Sequence, residues 1–251
     1  MERPILFYDP ISEPSRAVQW FALEASIELE LRYTWLTRNQ HRSVAFAAVN
    51  ARRQVPALLD GEFALSEATA IIRYLAEIAK ADPAWLGATP RERARVDLLL
   101  SWYHTNLRLR STLEYFLPVL LMPCFGARRP GQDRVAQLRE RAREAFAGLE
   151  ELLGDAPFLG GDRPRVSDLL FASELYALDC DPERAAVLDG FDGVRRWAER
   201  LRARPGYAPT HTGWNAVVPL IAARLRDGAP AGAGAAWVAE ACESALGLPP
   251  G

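Results

Sequence analysis

Apolar and polar positions follow two different periods along this chain, and the change between them divides it. Pro4 to Asp9 (PILFYD) is a continuous apolar run of strand length and predicts a buried strand. From Pro14 onward, Ala17, Val18, Phe21, Ala22 and Ala25 recur at helical spacing. Pro14 suits a first helical position, because its missing N–H costs nothing there. Glu28 to Leu36 (ELELRYTWL) alternates and predicts a second strand, and Thr37 to Arg53 reads as a polar loop with a short helical piece at Ala45 to Val49. Ala57 to Leu59 and Phe63 to Leu65 flank Asp60-Gly61, the chemistry of a tight hairpin turn. Ser66 then reads as the cap of a helix carrying Ile71, Ile72, Tyr74, Leu75 and Ile78. The order is βαβ, a β-hairpin, then α; with a right-handed crossover this gives a four-stranded mixed sheet.

After Lys80 the period-2 pattern disappears. Residues 81–90 form a Pro-containing linker, and helices are predicted over Arg91 to Phe116, Gln132 to Leu153, Val166 to Tyr176, Gly193 to Ala203, Ala216 to Arg226 and Ala236 to Leu246. The glycines of DGAPAGAGA follow no strand, which excludes a dinucleotide-binding loop and leaves a flexible Asp227 to Ala235 segment. The expected organisation is an α/β domain over 1–80, a linker over 81–90 and an all-helical domain over 91–251.

Composition narrows the function classes. The net charge of −2 and the lack of a basic, aromatic-studded tract exclude a nucleic-acid surface. Lys80 is the one lysine, and the Arg, Ala, Pro and Gly usage reads as a GC-rich bacterial genome's bias. Three scattered cysteines, Cys124, Cys180 and Cys242, have no CxxC or nearby histidine, so neither a disulfide framework nor a metal site is expected. The longest apolar run, Leu117 to Phe125, holds two prolines and is too short for a bilayer. With no signal-peptide pattern, the chain reads as a cytoplasmic protein with no membrane partner.

Candidate chemistry lies in three places. Ser12 sits between a strand end and a helix start, where unpaired N–H groups and the helix dipole favour an anion; alone, such a serine is more often a simple helix cap. Val55-Pro56 precedes a strand and reads as an ordinary trans turn or as a cis bond presenting backbone to an extended ligand. The helix from Arg91 is apolar around much of its circumference (Leu98, Leu99, Trp102, Tyr103, Leu107, Leu113), yet Asp97, Ser101, His104/Thr105, Arg108 and Thr112 form a polar stripe. On a buried helix such a stripe faces a cleft.

These stretches, SEPSRAV, NQHRSVAFAAVN, VPALLDGEFALSEATAIIRYL, RERARVDLLLSWYHTNLR and AAWV, resemble theta-class glutathione transferases in order and spacing. The resemblance implies the glutathione transferase fold, a thioredoxin-like N-terminal domain plus an all-α C-terminal domain. It implies addition of glutathione thiolate to small hydrophobic electrophiles (alkyl halides, epoxides or activated alkenes), with glutathione as co-substrate and no metal. Residue by residue, Ser12 corresponds to the thiolate-stabilising serine, with Tyr8 and Ser15 as its local competitors. His41 would bind the glycine carboxylate, Val55 before the cis-proline Pro56 would pair with the cysteinyl backbone, and Glu67 would hold the γ-glutamyl end. Two positions depart from the pattern. Ala68 stands where a serine hydroxyl is usual, and Gln54 stands where a lysine is usual, with Arg52 and Arg53 able to supply the charge. Tyr103, His104, Arg108 and Thr112 would line the electrophile pocket, Arg108 either orienting an anion or serving a structural ion pair. Trp237 would lid the pocket from the last helix, the alternative being a tail packed for stability. Asp168 keeps its place in the family's helix-capping box without the usual hydroxyl partner. A homodimer is implied. The resemblance leaves open a general conjugating enzyme, a dedicated pathway enzyme (dehalogenase, isomerase, ether-cleaving or natural-product tailoring enzyme) and a non-catalytic binding protein.

Overall fold

A computed structural model describes residues 3–227 and 234–249. Most of the glycine-rich run between Asp227 and Ala235 falls outside them, so its expected flexibility has no structural counterpart here.

Strand β1 (Ile5–Tyr8) pairs in parallel with β2 (Glu30–Tyr33), Ile5 opposite Glu30 and Tyr8 opposite Tyr33. It pairs antiparallel with β3 (Ala57–Asp60), which makes the expected hairpin with β4 (Phe63–Ser66). The sheet order is β2-β1-β3-β4, with crossover helix α1 (Glu13–Glu24) between β1 and β2. β2 stops before the alternation does. The buried Asp9 carboxylate accepts the Leu36 N–H at 2.6 Å and draws the chain out of the sheet into a 3₁₀ turn, Leu36–Arg38. The short helix α2 (Val44–Val49) is capped by Ser43, whose Oγ accepts the Phe46 N–H at 3.1 Å.

Ser66 does not cap α3 (Ala68–Ile78). It ends β4, its hydroxyl accepts from Arg52 at 3.1 Å, and Glu67 makes the entry to the helix at φ +72°. That conformation is unfavourable for any residue with a Cβ, and such positions concentrate at functional sites. The Val55-Pro56 bond is cis.

The rest is helical. Thr89 and Glu92 form a reciprocal capping box at the start of α4 (Pro90–Trp102), which runs on as a π-helical segment through Tyr103–Leu121, past Pro118. Then follow α5 (Gln132–Leu153), α6 (Val166–Ala177), α7 (Arg184–Leu188), α8 (Asp192–Arg202), α9 (Tyr207–Asp227) and α10 (Ala236–Leu246). Helix α9 starts nine residues before the expected Ala216. The stretch YAPTHTGWN looks like a loop, but Pro209 falls in the first turn, where no N–H is needed, and Thr210, His211 and Trp214 are buried. Asp168 holds the start of α6 through the N–H groups of Leu159 and Arg165 and the Trp197 indole, each at 2.8 Å.

Sheet and helices share one core. Trp20 of α1 packs on Tyr176 of α6 and on Tyr207 and His211 of α9. Arg16, wholly buried beside Trp20, donates to the carbonyls of Pro10 and Ser173 and lies over the Trp214 ring. This close seam between the two halves fixes the cleft above it. Among the described residues, no helix is long and apolar enough to cross a membrane.

Candidate active site

A cavity of about 450 Å³ opens where the strand ends and helix starts of the sheet half meet the π-helical half of the long helix. Its size suits a small-molecule ligand.

Ser12 lines this cavity. It is the N-cap of α1, in extended conformation, and its Oγ accepts the Ser15 N–H at 3.4 Å while its carbonyl accepts from Arg16 at 3.0 Å. The two readings of this serine are therefore compatible. Capping uses a lone pair of the oxygen, and the hydroxyl proton stays available to an anion in the cavity. The competitors do not reach it. Tyr8 is buried, donates to the Thr210 carbonyl at 3.2 Å, and has its phenol pushed far up in pKa by burial. Ser15 is fully buried and does not line the cavity.

The sheet side of the cavity is made of chain ends and loops. His41, Arg53, Gln54, Val55, Pro56, Glu67 and Ala68 all line it, as the sequence reading expects, joined by Leu36, Asn50 and Ser66. Arg53, Gln54 and Glu67 are exposed, whereas Pro56 and Ala68 are buried. Ala68 brings no hydroxyl, but it opens α3, whose first N–H groups have no partner within the helix. Arg52 does not line the cavity; it bonds Ser66 and sits 3.7 Å from the Glu67 carboxylate. Burial lowers the pKa of the His41 imidazole, with neighbouring Arg42 adding to the effect.

The helical side brings together Tyr103, His104, Arg108 and Thr112, with Leu113, Phe116, Leu117 and Leu121 as its apolar part. Its polar groups converge on Glu174 of α6, which is fully buried. Glu174 accepts from the Tyr103 phenol, the Thr112 hydroxyl and, at 2.5 Å, the Arg108 guanidinium. Arg108 is thus in an ion pair, while its side chain stays a quarter exposed to the cavity. Burial lowers the pKa of His104, with the charge of Arg108 next.

Parts of the expected pattern are not brought in. Trp237 does not line the cavity; it packs on Phe125 with Arg224 over its ring at 4.1 Å. The last helix instead lies on α9 and ties down the Leu36–Arg38 turn through a forked Arg38–Glu243 pair. The upper half of the polar stripe also points away. Asp97 pairs with Arg73, and Ser101 and Thr105 are exposed and bonded to their own helix backbone. Leu98, read as buried, is over half exposed.

Two carboxylates are missing from the sequence reading. Glu174 is the lone acid in the long apolar part of α6, and an acid in that setting signals a buried, partnered charge. Glu13, next to Ser12, also lines the cavity and is buried.

Two family models match the chain: the glutathione S-transferase N-terminal domain over residues 6–83 and the glutathione S-transferase C-terminal domain over residues 114–205. The chain belongs to the glutathione S-transferase family. Human glutathione S-transferase theta-1 is 36% identical over 204 residues, covering 80% of this transferase and 83% of its own length. Human theta-2 is 36% identical over 171 residues, 68% and 69% of the two chains. The structure of the human T1-1 apo form superposes with a TM-score of 0.78 at 30% identity, covering 95% of this transferase and 99% of that chain. Human theta-2 in complex with glutathione and an unknown ligand gives 0.77 at 27% identity, covering 98% and 100%. This transferase is therefore theta-like in sequence and fold, and glutathione conjugation is its chemistry at the level of the family.

Proposed function

We propose that this transferase stabilises the glutathione thiolate with the Ser12 hydroxyl and adds it to small hydrophobic electrophiles, such as alkyl halides, epoxides or activated alkenes. The observation that carries the reading is the state of Ser12: its oxygen is used by the helix cap, its proton is not, and both competing hydroxyls are buried elsewhere. The energies suffice. An ordinary thiol has a pKa of about 8.5, and lowering it by about 2 units needs about 2.7 kcal/mol of preferential thiolate binding. One hydrogen bond to the sulfur anion contributes roughly 1.5–3 kcal/mol, and the N-terminus of α1 adds roughly 0.3–1 kcal/mol. Ser12 is then a donor to the nucleophile and is not itself the nucleophile.

The sheet side, within residues 1–80, takes the tripeptide. His41 and Arg53 serve the glycine carboxylate, Val55 offers its backbone beside the cis-proline Pro56, and Gln54 offers a neutral amide where a cation is usual. The γ-glutamyl end goes to Glu67 and the N-terminus of α3 at Ala68. The helical side, from residue 91, takes the electrophile between Tyr103, His104, Arg108, Thr112 and the leucines. Arg108, paired on one side and exposed on the other, faces the developing negative charge. Three free, buried cysteines suit a reducing, cytoplasmic setting. The working unit is a homodimer, and a monomeric mass by light scattering at micromolar concentration would exclude that assembly.

The test is a calorimetric titration with glutathione followed by ultraviolet absorbance of the thiolate in the complex. Saturable binding with thiolate present below pH 7 is expected. Absence of binding, or binding of the thiol form alone, would overturn the reading.

A further inference from the structure

Glu13 is an anomaly of the cavity. It is only 6% exposed, it lines the cavity next to Ser12, and its Oε1 has no hydrogen-bond partner among the described residues. Its nearest cation is the Arg108 guanidinium, 4.0 Å from Oε2, but the same nitrogen lies 2.5 Å from Glu174. Glu174 also receives the hydroxyls of Tyr103 and Thr112, so both of its oxygens are partnered, whereas Oε1 of Glu13 has no partner among the described residues. Two carboxylates thus stand beside one arginine in unlike environments, one fully bonded and one with a free oxygen facing the cavity, and it is the free one that can gain and lose a proton there.

We propose that Glu13 is the proton carrier of this active site, taking the glutathione thiol proton as the thiolate forms at Ser12 and returning it to the oxygen of an epoxide as the ring opens. The inference rests on the proposed role of glutathione at Ser12. Atoms and charges balance without another reactant. The S–H bond breaks and Glu13 gains the proton. The sulfur–carbon bond then forms while a carbon–oxygen bond of the epoxide breaks, leaving its electron pair on oxygen. That oxygen takes the proton from Glu13, which ends ionised and ready for the next thiol. With an alkyl halide the halide leaves as an anion, and the proton is passed to water instead. The chemistry of Glu13 therefore selects electrophiles that retain an oxyanion, epoxides above all.

The electrostatics agree. Burial raises the Glu13 carboxyl to about 7 and the charge of Glu174 adds to this, while Arg108 and Arg16 oppose it. Tyr103 also faces this cluster and stays neutral, its phenol raised by burial and by Glu174. A group that exchanges its proton near neutrality is matched to this task.

The test uses the intact wild-type enzyme first. Glutathione is mixed with it at about pH 7.5 in weak buffer with a pH indicator, and thiolate absorbance is read in parallel. Thiolate formation with well under half a proton released per site is expected; release of about one proton per thiolate would overturn the proposal. Steady-state rates are then compared for an aryl glycidyl ether and a benzyl halide. In Glu13→Gln the ratio of epoxide to halide kcat/KM should fall about tenfold or more, with proton release rising toward one per site. The wild-type decline of epoxide turnover above about pH 7 should also disappear in the variant. A ratio within about twofold of wild type would remove Glu13 from proton transfer. Loss of glutathione binding by the wild-type enzyme would overturn the Ser12 reading as well, which separates the two failures.

Discussion

The two sides of the cavity are built on opposite principles. The sheet side is a set of exposed loops and helix starts: Arg53, Gln54 and Glu67 reach into solvent, beside Val55 and the start of α3 at Ala68. The helical side is locked at its polar centre, with Tyr103 and Thr112 each 1% exposed and both bonded to a carboxylate from another helix. The difference teaches where specificity is written. On the proposed function, a side made of exposed side chains and main-chain ends would take the invariant tripeptide. On the same proposal, a side built around the Glu174 cluster would present one electrostatic pattern to the variable electrophile, and changing one member of the cluster would alter the rest.

The sharpest way to break that contrast is Glu174→Ala. It leaves the part-buried Arg108 cation and the Tyr103 and Thr112 hydroxyls without their shared acceptor, so unfolding in urea should show a loss of about 3–5 kcal/mol. A loss under about 1 kcal/mol would mean the helical side is not preorganised by this cluster.

The next largest effect concerns pH. Burial holds the carboxyls of Asp9 and Asp168 at about 6 and Glu13 at about 7, all above their ordinary values. Each of these three groups binds its proton more tightly folded than unfolded, so the stability it contributes falls as pH rises between about 4 and 7. His41, His104 and His211, whose pKa values burial lowers, act in the opposite direction. Glu13→Gln removes one of these groups. At pH 8 the variant should exceed wild type in stability by on the order of 2 kcal/mol, and at pH 4 the gap should close. Parallel curves at both pH values would show that Glu13 is ionised in the fold.

Ser12→Ala should lower glutathione-dependent turnover about tenfold or more near pH 6.5, recovering partly at higher pH as the free thiol ionises unaided. The loss of the cap itself should cost about 0.5–2 kcal/mol of stability without unfolding the protein. Tyr8→Phe should leave the rate near wild type; an inactive Tyr8→Phe beside an active Ser12→Ala would reverse the assignment. The smallest effect is expected on the sheet side. Arg52 and Glu67 are exposed at a separation of 3.7 Å. Arg52→Ala should therefore shift the denaturation midpoint by the equivalent of less than about 1 kcal/mol.

Much of the fold follows from rules that act over a few residues. The switch from period 2 to period 3.6, the Asp60-Gly61 turn and the Pro14 helix start fix the β1-α1-β2-β3-β4-α3 order, because each depends on local backbone preference. Ser12 and the loop residues His41, Val55 and Glu67, which line one cavity, were legible as candidates because they fall within short stretches that carry the family resemblance. Local signals failed where the environment overrode them. Ser66 looked like a cap, but Glu67 enters the helix at a positive φ and Ser66 stays in its strand. The helix expected from Ala216 begins at Tyr207, where Thr210, His211 and Trp214 are buried. Trp237 resembled a lid, yet it rests on Phe125 away from the cavity.

By itself, then, the sequence determined the order and kind of most elements and which loop residues surround Ser12. Only the tertiary structure decided that Arg108 meets Glu174, 66 residues further along the chain, and that Glu13 is left buried beside them without a full partner. Spacing cannot show such a pairing. The charge state of a carboxyl depends on the water it loses and the cations it gains, and both are set by which helices pack together.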